Sequence, residues 1–261
     1  MYKLCDTCSD VKVINNNLFT KNEASWSMFP HHLPVLGRQN GSQSTIIKFS
    51  KKYAHCLVYY WGAKNLFNNL NIQYPDSYLN SDNNGLVKLD DNGQATIYLD
   101  CPQPYKDENN ISYMSHIHML VSNKKMDTWT NNLFTQNILC NITKNDVQKY
   151  LRNKNRLIIN ALSDEYHDQA HIPNSFNLYY KDSEKMTTTQ INNKIKNIVK
   201  NNKSLTKYIQ KYKLKITEIP IVVYCYDKNC DAGHRLANSL FKNGYTNVLD
   251  YKGGIIDWLG R

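Results

Sequence analysis

Between Asn16 and about Asn132, short apolar runs alternate with clusters of turn-forming residues. Ser44-Thr-Ile-Ile-Lys-Phe and His55-Cys-Leu-Val-Tyr-Tyr-Trp are rich in β-branched and aromatic residues and predict strands. Gly85-Leu-Val-Lys-Leu, Ala95-Thr-Ile-Tyr-Leu and His116-Ile-His-Met-Leu-Val predict three more. Asp91-Asn-Gly, between two of these runs, is a hairpin-type turn signal, because Asn and Gly tolerate positive φ. Evenly spaced short strands without a long helical pattern predict a β-sandwich.

After Cys140 the period changes. Thr143 is placed to cap a helix running through Leu151, with Val147, Tyr150 and Leu151 on one face. Arg156-Leu-Ile-Ile-Asn and Ile219-Pro-Ile-Val-Val-Tyr-Cys are continuous apolar strands of the kind a parallel sheet buries on both faces. Ile191, Ile195, Ile198 and Val199 mark an amphipathic helix, and Ala232 to Lys242 another, ended by Gly244. Thr246-Asn-Val-Leu-Asp-Tyr is a further strand. Strand–helix alternation predicts an α/β domain with a central parallel sheet. The expected organisation is an α+β chain of two domains: 1–137 sandwich-like, 138–261 α/β.

Composition changes this picture little. The net charge of +10 is carried almost wholly by lysine, alongside 19 tyrosines and an abundance of asparagine. An AT-rich genome, such as that of a protist or a large DNA virus, produces that bias, so charge alone does not argue for a nucleic-acid partner. No apolar run approaches the ~20 residues a bilayer requires, and the first residues lack a signal-peptide core. The seven cysteines are scattered and odd in number, which reads as reduced thiols in a cytoplasmic setting, host cytoplasm or virion for a viral protein.

The C-terminal half resembles the rhodanese-like domains. The residues that carry the resemblance are Leu157-Ile-Ile-Asn-Ala-Leu-Ser-Asp-Glu-Tyr, then Ala170-His-Ile-Pro-Asn-Ser, then Ile221-Val-Val-Tyr-Cys. Gly244-Tyr-Thr-Asn-Val and Gly253-Gly-Ile-Ile-Asp-Trp complete the set. The resemblance implies that Cys225 is the sulfur-accepting thiolate of a thiosulfate- or mercaptopyruvate-type sulfurtransferase, or of a sulfur carrier. It also implies a substrate-binding loop of Tyr226, Asp227, Lys228, Asn229 and Asp231. Three departures stand out. Asn160 and Leu162 occupy places where the family usually has Asp and Arg. The loop after Cys225 is longer, as in a subgroup that carries a second cysteine here, and it holds Cys230.

The chemistry needs a lowered thiol pKa and a cradle for an anionic donor, which backbone N–H groups at a helix N-terminus supply. Lys228 adds positive charge, whereas Asp227 and Asp231 oppose both requirements. Cys230, at the predicted helix start, reads as a helper: a resolving thiol or a second sulfur carrier. Two other readings stay open. One is a non-catalytic docking module fused to a binding sandwich, with Cys225 an inert buried thiol. The other is a cysteine phosphatase; against it, Cys230 and Arg235 have a Cys-x4-Arg spacing and Arg235 falls inside the helix, pointing away.

Other signals are weaker. Cys5-x2-Cys8 with His31-His32 has zinc-ligand spacing. His116 and His118 alternate on a strand, so both imidazoles face one side, and with a third ligand they bind a metal; more often such a pair serves its neighbours. Asn84 to Ala95, Cys101-Pro-Gln-Pro-Tyr and His116-Ile-His resemble sandwich domains related to the intradiol dioxygenases, whose iron ligands include tyrosines and histidines. That ligand set is not matched onto this chain, so no metal or cofactor is assigned. Nine lysines and no carboxylate lie between Lys185 and Lys215, a basic helix face that suits an acidic partner or stands solvated. The other expected partners are a small sulfur donor and an acceptor protein.

Overall fold

The computed structural model describes residues 3–4, 37–64, 76–78 and 82–261. The chain divides into two compact units, Met1–Ile138 and Leu139–Arg261. The zinc-spaced cysteines and His31-His32 lie outside the described residues.

In the first unit the strands are β1 (Lys3–Leu4), β2 (Gln43–Lys48), β3 (Leu57–Gly62), β4 (Asn84–Lys88), β5 (Gln94–Leu99), β6 (Tyr105–Lys106), β7 (Ser112–Tyr113), β8 (His116–Ser122) and β9 (Trp129–Asn137). Five of them form an antiparallel sheet in the order β1-β9-β8-β3-β4, while β2 pairs with β5 and β6 with β7. All five predicted strands are present. The turn at Asp90–Gly93 is also present, with Gly93 at φ +73° and the Asp90 carboxylate accepting from the N–H groups of Asn92 and Gln94. It does not close a hairpin: β4 pairs with β3 and β5 with β2, so the turn carries the chain from one sheet to another. Tyr59, Trp61, Tyr78, Leu86, Leu120 and Trp129 form the main part of an aromatic core.

The second unit runs β10 (Cys140–Asn141), α1 (Lys144–Asn153), β11 (Leu157–Asn160), α2 (Asp164–Gln169), β12 (Phe176–Asn177), α3 (Tyr180–Ser183), α4 (Thr188–Lys200), α5 (Lys203–Tyr212), β13 (Ile221–Tyr224), α6 (Ala232–Lys242), β14 (Val248–Tyr251) and α7 (Gly254–Leu259). Its five strands are all parallel, in the order β10-β14-β13-β11-β12. Every residue of β11, β13 and β14 is buried, as expected of mainly apolar strands covered on both faces, and Asn160 and Asp250 are buried with them. Thr143 caps α1 through a reciprocal box with Asp146, an arrangement worth about 1 kcal/mol. The lysine-rich stretch forms two helices rather than one. The chain breaks at Asn201-Asn202, where the Asn202 side chain accepts from Leu205 N–H and starts α5.

The reading of all cysteines as reduced thiols is corrected. Cys101 and Cys140 are disulfide-bonded, while Cys56, Cys225 and Cys230 are free. Wide spacing in sequence hid this, because disulfide partners are set by the fold and not by separation along the chain. Among the described residues no helix is long and apolar enough to cross a membrane.

Candidate functional site

β13 sits at the centre of the parallel sheet, and Cys225 follows its last residue. The segment 226–231 then leads into α6, an eleven-residue helix starting at Ala232. Two devices shape this loop. The Asp227 carboxylate accepts from the N–H groups of Asn229 (2.9 Å) and Cys230 (3.0 Å), folding Cys230 back toward Cys225. From the other side, the start of α7 clamps the loop: Ile255 N–H donates to the Cys225 carbonyl and Ile256 N–H to that of Tyr226, both at 3.0 Å. Gly254 makes the clamp possible. Its φ is +63°, and a Cβ there would stand 2.4 Å from the Tyr226 oxygen and 2.7 Å from the Cys225 oxygen.

The two thiols lie in one loop and differ in environment. Cys225 is 2% exposed, and its Sγ lies 3.2 Å from the Cys230 carbonyl oxygen and 3.8 Å from that of Asp227. Cys230 is half-buried, two residues before the first residue of α6. The neighbouring Cys230 thiol, then burial, pushes the Cys225 thiol above its ordinary range, against the Gly233 backbone. The Cys225 thiol in turn lowers Cys230 to about 6, with the Tyr226 and Ala232 backbone assisting and burial and Asp231 opposing.

Of the remaining predicted loop residues, Tyr226, Lys228, Asn229 and Asp231 are exposed, while Asp227 is half-buried and shapes the turn. Asn160 and Leu162 act together: Asn160 Oδ1 accepts from Leu162 N–H at 2.8 Å, closing the turn after β11. Arg235 makes a bidentate pair with Glu184 (2.8 and 2.7 Å) and stacks on Tyr180 at 4.5 Å. Its guanidinium is thus engaged away from the cysteine loop. Sequence reasoning missed Asp250, a buried acid on β14 whose Oδ1 approaches Gly233 of α6. Burial chiefly raises its pKa to about 6, with Cys230 adding and Lys252 opposing. A carboxylate inside an apolar strand pattern was the available signal.

The first unit gathers a second set of polar groups. Tyr78 Oη lies 3.3 Å from His116 Nε2, 3.1 Å from His118 Nε2 and 3.4 Å from Tyr105 Oη, and Tyr105 Oη lies 3.2 Å from His116 Nε2. All four side chains are buried. His116 Nδ1 donates to the Met114 carbonyl at 2.7 Å, which leaves Nε2 as a lone pair facing the phenols. Burial lowers both imidazole pKa values, and His116 lowers that of His118 further. Sequence reasoning found the histidines but neither tyrosine. Tyr105 ends the quoted Cys-Pro-Gln-Pro-Tyr run, whereas Tyr78 carried no pattern signal. Among the described residues, no three side chains drawn only from His, Cys, Asp and Glu gather as metal ligands.

A parallel α/β unit with a free cysteine between its central strand and a helix N-terminus belongs to the class of folds that present a reactive group at strand C-termini. The particular family follows from comparison: residues 143–261 match the model of the Rhodanese-like domain, and this half of the chain is a rhodanese-like domain. Similar solved structures include the human single-domain sulfurtransferase TSTD1 (16% identity, 46% of this chain and 96% of that one, TM-score 0.33). The Saccharomyces cerevisiae single-domain sulfurtransferase RDL2 is similar at 11% identity, covering 48% of this chain and 92% of its own (TM-score 0.34). The BH2092 protein of Bacillus halodurans is similar at 16% identity, over 46% and 71% (TM-score 0.32). No curated protein matches the chain.

Proposed function

We propose that the rhodanese-like domain is a sulfur carrier or sulfurtransferase that takes sulfane sulfur from a small anionic donor onto the Cys225–Cys230 pair. The observation that carries this reading is the pair of free cysteines in the loop between the central strand and α6, with Cys225 Sγ 3.2 Å from the Cys230 carbonyl. An inert buried cysteine in a docking module needs no such partner. Arg235 is bound to Glu184, which argues against a phosphate-binding loop and a cysteine phosphatase. Donors of the thiosulfate or mercaptopyruvate type are the substrates this reading expects, and the lysines of α4 and α5 suit an acidic acceptor protein. The cytoplasmic setting expected from the cysteines is at odds with disulfides at Cys101 and Cys140, which persist in oxidising surroundings. The test is thiocyanate formation from either donor with cyanide as acceptor. The wild-type chain is expected to turn over and Cys225→Ser/Cys230→Ser to be silent; no thiocyanate from the wild type with either donor refutes the reading.

A specific observation favours a metal-binding role for the first unit, read here as a sandwich whose two faces are the five-stranded sheet and the β2–β5 pair. Two phenols and two neutral imidazoles converge within hydrogen-bond distance of one another in a buried place. The Met114 carbonyl accepts from His116 Nδ1 and so orients that imidazole with Nε2 toward the phenols, as carbonyls do for metal-binding histidines. Tyr78, Tyr105, His116 and His118 would hold a ferric ion, consistent with the resemblance to the intradiol dioxygenases. Such an ion supplies a Lewis acid toward an aromatic diol. The residues themselves would supply burial, two phenol oxygens and two imidazole nitrogens, that of His116 fixed as a lone pair by the Met114 carbonyl. Titrating the full chain with ferric iron is expected to produce a visible phenolate-to-iron absorption that Tyr78→Phe and Tyr105→Phe each weaken. No such band in the wild type refutes the assignment.

A further inference from the structure

Resting on the sulfur-carrier reading, we infer that sulfur enters at Cys230 rather than at Cys225, and that Cys225 then expels it as sulfide by closing a Cys225–Cys230 disulfide. Three observations lead there. Access favours Cys230, which is half-buried, over Cys225, which is 2% exposed. The surroundings of the two sulfurs have opposite polarity. Carbonyl oxygens of Cys230 and Asp227 face Cys225 Sγ at 3.2 and 3.8 Å, an arrangement that suits S–H and repels a thiolate. Cys230 instead stands at the start of an eleven-residue helix, whose dipole favours a thiolate. Finally, Cys225 Sγ already lies 3.2 Å from the Cys230 carbonyl, so Cys225 is placed beside a persulfide formed on Cys230.

The steps balance. The Cys230 thiolate attacks the outer sulfur of thiosulfate; that S–S bond breaks, sulfite leaves with the electron pair, and Cys230 carries a persulfide anion. Cys225 then attacks Cys230 Sγ, and its proton passes to the departing sulfur, which leaves as hydrosulfide. Cys225 is oxidised, the outer persulfide sulfur is reduced, and a disulfide joins the two cysteines. A dithiol reductant restores both thiols, so turnover consumes one dithiol for each sulfide released. The domain is thereby a sulfide-releasing enzyme coupled to dithiol oxidation.

The experiment uses the full chain, reduced and freed of reductant, with thiosulfate as donor, read by intact mass and sulfide release. Wild type is expected to release one sulfide per chain and lose two hydrogens at the Cys225–Cys230 peptides. Cys225→Ser is expected to hold one added sulfur without releasing sulfide. Cys230→Ser is expected to do neither. Unfolding midpoints of both variants establish that they are folded, and Cys225→Ala repeats the trap should the serine variant fail to fold. Added sulfur on Cys230→Ser with none on Cys225→Ser overturns the order while leaving the carrier reading in place. A stable wild-type persulfide without sulfide overturns the resolving step. No added sulfur and no sulfide in any chain overturns the carrier reading and the order with it.

Discussion

Replacing Gly254 by alanine is expected to loosen the cysteine loop and destabilise the rhodanese-like domain by about 3–4 kcal/mol. The left-handed backbone at φ +63° costs an alanine about 1–2 kcal/mol by itself. The new Cβ would stand 2.4 Å from the Tyr226 oxygen, a backbone atom that has no flexible end to swing aside. Either α7 or the loop must move, and movement lengthens the two 3.0 Å bonds from Ile255 and Ile256, each worth about 1 kcal/mol net. Gly260→Ala is the internal control, because Gly260 has φ +75° but open space around its Cβ, so only the backbone cost of about 1–2 kcal/mol applies. The assay is pulse alkylation of buried Cys225 across a urea series, read by peptide mass. With a urea slope of about 2 kcal/mol per molar, the Gly254→Ala midpoint falls by about 1.5–2 M and that of Gly260→Ala by less than 1 M. Equal midpoints for the two variants, with Cys230 alkylated at the wild-type rate in both, would refute the clamp.

Iodoacetamide alkylation of Cys230 in the native chain is expected to rise through pH about 6 and to be nearly flat above pH 7. Cys225→Ala removes the neighbouring thiol that lowers Cys230 most and moves that midpoint up toward the ordinary thiol range. Asp250 is raised to about 6 from an unfolded value near 3.9, so the folded state binds the extra proton and stability falls as pH rises from about 4 to about 6. Asp250→Asn is expected to flatten urea midpoints over that window and to stabilise the domain at pH 7 by about 2–3 kcal/mol. In the first unit, burial lowers both His116 and His118, so the unfolded chain takes up protons that the folded one refuses. Its stability is present above pH about 6.5 and lost progressively below it, and His116→Asn/His118→Asn is expected to flatten the loss between pH 7 and 5, measured by hydrogen exchange in β3 and β8.

The elements most legible in the sequence were those fixed by short-range periodicity. Unbroken apolar runs marked β11 and β13, and Thr143 with Asp146 marked the start of α1. The predicted span of α6, Ala232 to Lys242, matches the observed one, because its apolar stripe and Gly244 bracket it. What escaped was set by distant partners. β9, with six polar residues among its nine, gains its place by pairing with the wholly buried β8. The Asp91-Asn-Gly turn is correct as local chemistry but mute about which strands pair beyond it, so a sheet-to-sheet connection read as a hairpin. Disulfides at Cys101 and Cys140 were invisible for the same reason.

The same distinction separates the two candidate sites. The cysteine loop is local: Cys225, Asp227 and Cys230 lie within six residues, so the sequence already named its members. Even so, roles within it depend on atoms no spacing reports, namely which backbone groups face each sulfur. Two carbonyls face Cys225, whereas Cys230 stands half-buried at the start of α6, a difference the family position alone does not convey. The tyrosine–histidine cluster is non-local, spanning Tyr78 to His118, and only a strand alternation at its far end was readable. There the fold supplies the missing half by setting Tyr78 and Tyr105 opposite the two imidazoles. A chain can therefore announce a loop nucleophile through its neighbours in sequence, whereas a buried ligand set emerges only when strand pairing has placed each side chain.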